Sequence, residues 1–404
     1  MLRRDALTLL VPCLLPGATL PKIAPERAGV SAERLKRVTA LLDRYIQKRQ
    51  IAGVVSLVAR KGAIVHLQAQ GLADVESQKV LTTDAIFRLA SMTKPVTSVA
   101  AMMLHEEGHF LLDDPVSKFL PEFPERGQVA IPNAPNERAT AGYRLIPAEG
   151  PVTIRQLLTH TAGLGNVAGF NQPENTMAEY CAALAKLPLK FHPGTHWEYG
   201  PATNVVGRLV EVVSGRSLDE FFRARIFGPL GMQDTCFYLP EEKLSRLVTA
   251  YGWEGDRLKK LTALGPAARN GRFFAGAGGL AGTAEDYLRF CQTLLNGGQL
   301  DGTRLLSRKS VEAMTANHIG KLPLWQDTYR GYGFGLGFRV RLDVGQSATL
   351  GSVGEYGWGG AYGTYFWNDP KEQMVGILMI QLMPYAHLNL RPQFQNAVTQ
   401  AIVD

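Results

Sequence analysis

The sequence predicts an α/β protein of the α+β type: an antiparallel sheet flanked by helices, with an inserted, mostly helical domain. Three observations predict it. Strand-like runs stand near both ends of the chain, Val54-Val55-Ser56-Leu57-Val58-Ala59 early and residues 374–381 late. Between them, apolar residues recur at helical spacing and are broken by loops and prolines. No internal repeat or low-complexity tract interrupts this order, so the two ends are expected to build one sheet.

The elements follow in order. Residues 25–50 read as a loop and a helix, started at Ser31, with Leu35, Val38, Leu41, Leu42 and Tyr45 on one face. Residues 53–71 read as a β-hairpin turned at Arg60-Lys61-Gly62. From Ser91 the period is helical again through Val96, Val99, Ala100, Met103 and Leu104, and Gly108 is a natural helix end. Further helical segments are expected at 152–160, 177–187, 202–215, 218–227, 284–296 and 309–316. Strands return at 338–342 and 363–367. The near-continuous apolar run 374–381 fits a buried central strand. A helix over 391–403 closes the chain. The limits implied are 25–110 with 285–404 for the α/β domain and 111–284 for the helical one. Residues 1–24 are set apart as an N-terminal apolar segment. Arg3-Arg4 before the apolar residues 6–15 fits an export signal; Pro12 and the lack of an A-x-A cleavage site fit a segment packed on the domain. The compartment, bacterial cytoplasm or periplasm, stays open.

Composition narrows the function classes. Of 404 residues, 46% are hydrophobic and 20% charged, which supports a large core and excludes a disordered chain. No apolar run reaches about 18 residues, so no membrane-spanning helix is expected. The formal charge is +7, but the basic residues are scattered, which argues against nucleic acid as a partner. Cys13, Cys181, Cys236 and Cys291 lack C-x-x-C spacing and read as small buried hydrophobes, neither a disulfide framework nor a zinc site.

Three motifs invite chemistry. Ser91-Met92-Thr93-Lys94 is the one S-x-x-K in the chain, at a helix start. Three residues on a helix return to the same face, so the amine stands beside the hydroxyl. Desolvation and the positive helix terminus both favour a neutral amine able to take the serine proton. The competing reading is a capping serine with a solvated lysine. His105-Glu106-Glu107-Gly108-His109 matches H-E-x-x-H, but a zincin needs both histidines on one intact helix, and Gly108 is expected to end this one. Gly276-Ala277-Gly278-Gly279-Leu280-Ala281 fits G-x-G-x-x-A, yet a loop-like stretch precedes it where a dinucleotide site needs a strand. It reads as a tight glycine loop leading to a helix. No G-x-S-x-G elbow is present, which weighs against the α/β-hydrolase fold.

Placed in order, several stretches carry a resemblance. They are Leu89-Ala90-Ser91-Met92-Thr93-Lys94, Leu157-Leu158-Thr159-His160-Thr161-Ala162-Gly163-Leu164, Pro193-Gly194-Thr195-His196-Trp197-Glu198-Tyr199, Pro229-Leu230-Gly231-Met232, Gly278-Gly279-Leu280 and Gly357-Trp358-Gly359-Gly360. Over about residues 25–400 the chain resembles the serine β-lactamase and penicillin-binding-protein superfamily, and within it most the class C-like carboxylesterases, esterase family VIII. The resemblance implies a β-lactamase/transpeptidase-like fold. It implies Ser91 as nucleophile, Lys94 as its motif partner and Tyr199 as the tyrosine of Y-x-N. It places Trp358, Gly359 and Gly360 at the substrate-binding K-T-G triad, and the oxyanion between the backbone N–H groups of Ser91 and Ala361. Two departures stand out: Trp358 replaces the lysine of K-T-G, and Pro201 replaces the asparagine of Y-x-N. Neither can hold a carboxylate or an amide as those residues do. The implied activity is therefore a serine carboxylesterase acting on small, short-chain neutral esters, with β-lactam cleavage secondary and with no metal or cofactor. The alternatives on the same fold are a β-lactamase or D-alanyl-peptidase-type hydrolase, an acyltransferase, and a non-catalytic penicillin-recognising module. The oligomeric state is not indicated.

Overall fold

The computed structural model describes residues 19–133, 142–170, 174–262, 271–325 and 329–404. The export-signal features at Arg3-Arg4 and residues 6–15, and Cys13, lie outside them.

The first helix, α1 (Ala32–Gln47), starts where the Ser31 hydroxyl accepts from the Arg34 N–H, and it buries the five apolar residues the periodicity marks. Strands β1 (Gly53–Arg60) and β2 (Ala63–Asp74) form the expected hairpin, followed by the short β3 (Lys79–Val80). β1 is buried at every position, as a central strand should be. Then come α2 (Thr93–Glu106), α3 (Ala202–Ser214) and α4 (Ala284–Leu295). The chain ends with β4 (Tyr332–Phe334), β5 (Arg339–Arg341), β6 (Tyr356–Gly359), β7 (Tyr365–Asp369), β8 (Met374–Met379) and α5 (Leu390–Thr399).

One antiparallel sheet runs β4-β5-β6-β7-β8-β1-β2-β3. Its centre joins the two ends of the sequence, with Val55 opposite Met379 and Leu57 opposite Ile377. α1 and α5 pack on one face, around Trp367 and Phe394. α4 lies on β1 and β8 from the other side. On that side one continuous buried cluster runs from Val55 and Leu57 through Val96 and Val99 of α2 to Val206 and Leu209 of α3. The segment that carries Ser91 is thus clamped between the sheet and the helical part. Among the described residues no helix is long and apolar enough to cross a membrane.

The middle of the chain is less purely helical than its periodicity suggests. It holds two β-hairpins, Gln128–Pro132 with Tyr143–Pro147 and Tyr251–Glu254 with Arg257–Lys260. Their strands are short and half exposed, so neither alternation nor an apolar run marks them. The second hairpin joins the sheet side: the Tyr251 N–H donates to Gln381 O at 2.9 Å, and Tyr251 shares the core of Trp367.

Between β5 and β6 a buried ion pair fixes the loop. Arg341 is 0% exposed and Glu355 1%. Arg341 Nη2 reaches both Glu355 oxygens at 3.1 Å and also bonds the Thr349 hydroxyl at 2.8 Å. Removing one partner of such a pair strands a buried charge. Glu355→Ala is therefore expected to lower stability by about 3–5 kcal/mol, measured by urea denaturation. A loss below about 1 kcal/mol, the scale of an exposed pair, would contradict this account.

Candidate active site

Ser91 sits in the 3-10 turn Ala90–Met92 that leads into α2. Ala90 has φ 47°, a left-handed conformation uncommon for a residue with a Cβ. Neighbours hold the turn in place. Leu89 N donates to Leu280 O at 2.9 Å, Thr364 Oγ1 to Leu89 O at 3.1 Å, and Tyr287 Oη to Met92 O at 2.8 Å. Backbone strain of this kind persists where the surroundings over-determine it, and it clusters at functional sites.

Lys94, one turn on, is only 5% exposed. Its Nζ is 3.2 Å from Ser91 Oγ and 2.8 Å from Ala277 O, and 4.5 Å from the centroid of the Tyr199 ring. The Ala277 carbonyl is itself positioned. Ala277 N donates to Asn204 Oδ1 at 2.8 Å, and Thr97 Oγ1 donates to Gly276 O at 2.7 Å. The glycine loop that the sequence offers as a weak nucleotide motif is in fact the wall behind Lys94. Gly276 is required there by close approach: a Cβ would meet Thr203 O at 2.9 Å.

Tyr199 stands just before α3, inside a box of rings. His160 is 4.8 Å away between centroids, Trp325 5.0 Å and Trp358 5.3 Å. The Trp358 indole N–H donates to Tyr199 Oη at 3.2 Å, and its ring stacks on Trp325 at 12°. His160 is buried, and its Nδ1 has no hydrogen-bond partner. Burial, with the nearby Lys94 charge, pushes its pKa well below the ordinary histidine range, so the ring is neutral. Burial is thus the main reason this histidine stays uncharged beside Lys94.

A cavity of about 540 Å³ opens in front of these groups. Ser91, Tyr199, Trp358, Gly359, Gly360 and Ala361 all line it, and Lys94 lies beneath. Every site residue drawn from the sequence is therefore gathered at one place. The two glycines have a steric reason. A Cβ on Gly360 would meet Leu89 O at 2.3 Å, and one on Gly359 would meet the Arg391 guanidinium at 2.6 Å. Gly360 N is turned to Thr364 O at 2.8 Å. The sequence reading gave no role to His160, Asn204 or Trp325. His160 lay within a quoted motif, whereas Asn204 and Trp325 carry no local signal, since their roles depend on contacts across the fold.

The two histidines of the H-E-x-x-H match do not converge. α2 ends at Glu106, Gly108 has φ 82°, and His105 Nδ1 is 2.8 Å from Phe110 O. Among the described residues no group of three or more His, Cys, Asp or Glu side chains is arranged to hold a metal.

Comparisons with known proteins identify the family. A family model described as beta-lactamase matches residues 38–399. The chain is 31% identical to the lovastatin esterase of Penicillium rubens, over 81% of this chain and 88% of that one. It is 29% identical to esterase EstB of Burkholderia gladioli, over 91% and 95% respectively. The solved structure of EstCE1, described as a hydrolase with promiscuous acyltransferase activity, superposes with a TM-score of 0.75 at 27% identity, over 91% of this chain and 98% of that one. The chain belongs to the beta-lactamase family and is a serine hydrolase of the esterase kind.

Proposed function

We propose that the protein is a carboxylesterase that acts on short esters, uncharged next to the scissile bond, through an acyl-enzyme on Ser91. The observation that carries this reading is the Lys94 Nζ, buried and 3.2 Å from Ser91 Oγ. Ser91 Oγ attacks the ester carbonyl, and its proton passes to the Lys94–Tyr199 pair, which acts as one coupled base. The Trp358 N–H fixes Tyr199 Oη from the far side. The oxyanion forms between the Ser91 and Ala361 N–H groups, since Gly360 N is already engaged with Thr364. The pair returns the proton to the leaving alcohol. Water, activated by the same pair, then releases the acid.

Substrate choice rests on what replaces the usual cation. Trp358 presents an indole, and its one N–H is directed to Tyr199. The cavity beside Ser91 is bounded by Trp325, Trp358 and Tyr199, apolar faces that suit acyl or alkoxy carbons. An acyl-enzyme can also be resolved by an alcohol in place of water, which would be an acyl transfer; the description of EstCE1 names acyltransferase activity for that protein. Product analysis with an added alcohol measures how far acyl transfer competes with hydrolysis here.

Four outcomes test the reading. Ser91→Ala is expected to lower kcat on p-nitrophenyl esters by at least about 10³, and a phosphonate probe should label a peptide containing Ser91; labelling elsewhere would remove Ser91 from the mechanism. Trp358→Phe keeps the ring and deletes the donor. It should lower kcat up to about tenfold with little change in KM, the scale of one hydrogen bond; an unchanged kcat would mean the Trp358–Tyr199 contact is inert. Activity should survive EDTA and phenanthroline, and inhibition reversed by zinc would instead point to a metal at the reacting centre. In parallel assays a chromogenic cephalosporin should be cleaved far more slowly than the ester.

A further inference from the structure

Past the aromatic box the cavity continues into a second lobe around Arg339. Register puts this lobe on the other face of the sheet from Trp358. Arg339 lies opposite Gly357 and Tyr365 opposite Gly359, while Trp358 lies opposite Phe366. Ser91, Gly359, Gly360 and Ala361 line the same cavity as Arg339, so the reacting hydroxyl and the guanidinium border one continuous space.

Arg339 is 8% exposed. A guanidinium has five N–H donors. The hydrogen bond it makes here runs from Nη2 to Tyr365 Oη at 2.9 Å, and its Nε is buried without a partner. Among the described residues the carboxylate paired with it is Glu355, 4.0 Å away, which already holds Arg341 at 3.1 Å and Gln395 at 2.7 Å. Tyr332 and Tyr329 pack on the guanidinium at 4.3 and 5.1 Å, so an anion could approach it only in its plane. Arg391, also in this lobe, is satisfied otherwise: it donates to the carbonyls of Gly360 and Thr364. Among the described residues Arg339 is thus a buried cation at a cavity wall whose one paired carboxylate stands at the limit of ion-pair distance and is shared with Arg341, which leaves room for a closer anion.

We propose that this lobe is a carboxylate subsite, in which Arg339 receives an anionic group at the end of the substrate remote from the scissile ester. A carboxylate fits the planar edge of a guanidinium through paired N–H donors. The Tyr332, Ser347 and Thr349 hydroxyls, bonded to one another at 3.1 and 3.2 Å, add a neutral polar rim. The substrate class is then either half-esters of dicarboxylic acids or esters of ω-hydroxy acids. The proposal rests on the esterase reading of Ser91.

The test compares kcat/KM for p-nitrophenyl half-esters of dicarboxylic acids with neutral esters of the same length, and acetyl esters of ω-hydroxy acids with their carboxamides. At one chain length the anionic member should be preferred by about tenfold to a hundredfold, the range of a charge-assisted hydrogen bond, chiefly through KM. Arg339→Gln should bring that ratio close to one. The series that shows the preference assigns the carboxylate to the acyl or the alcohol side. A neutral preference at every length in both series, or an anionic preference that survives Arg339→Gln, overturns the subsite and leaves the esterase reading standing. Hydrolysis of none of these esters overturns both. A measurement independent of the variant's folding uses the wild-type protein: free dicarboxylates should inhibit hydrolysis of p-nitrophenyl acetate and their diamides should not. Equal inhibition by the two counts against the subsite.

Discussion

Lys94 brings an amine to a place where 5% of the residue meets solvent, and a nitrogen so placed must find its partners inside the protein. Ser91 Oγ and Ala277 O are those partners, with the face of Tyr199 on a third side. Much of the local structure follows from this requirement. Ala277 O is available only because Asn204 holds the Ala277 N–H and Thr97 holds the Gly276 carbonyl. Gly276 must be glycine for the loop to approach α3. The site is therefore a junction of four segments, around residues 91, 199, 277 and 358, that meet only if the sheet and the helical part dock rigidly. The continuous core from Leu57 to Leu209 supplies that rigidity.

The sequence made much of this legible, and the reasons are physical. α1, α2, α4, the β1–β2 hairpin and β8 were readable because each is long enough for its period to stand out. Ser91 and Lys94 were readable because their partnership is local, fixed by one helical turn. Tyr199 and the strand of Trp358 came only from resemblance, since nothing in their own spacing announces a base or a donor. What stayed hidden depends on contacts between distant segments. Trp325 stacks on Trp358 from a loop with no pattern, and Asn204 accepts from a backbone N–H far along the chain. The short hairpins at 128–147 and 251–260 have too few residues for alternation to be decisive.

β5 shows how alternation can mislead. In Phe338-Arg339-Val340-Arg341-Leu342 the arginines would ordinarily face water and the apolar residues the core. In the structure Arg341 is 0% exposed and Arg339 8%, whereas Leu342 is 41% exposed. The reason is Glu355, itself buried, together with the tyrosines of the neighbouring strands. They make a polar interior on the face that α5 covers. A binary pattern cannot report this, because the group that makes burial tolerable is remote in sequence.

The same sheet edge also separates two tasks that one lysine would otherwise combine. A cation at position 358 would both bond Tyr199 and set a positive charge beside the scissile carbonyl. An indole keeps the donor and omits the charge: it still reaches Tyr199 Oη at 3.2 Å, through an N–H that does not titrate in the working pH range. Orientation of the base then becomes independent of whether an anion is bound next to it. Arg339 and Arg391, which also line the cavity, lie on the face of β6 opposite Trp358. On this arrangement position 358 adds no charge beside the bond to be broken. Any selectivity for charge is exercised at a distance, where it bears on how tightly a substrate binds more than on how fast its carbonyl reacts.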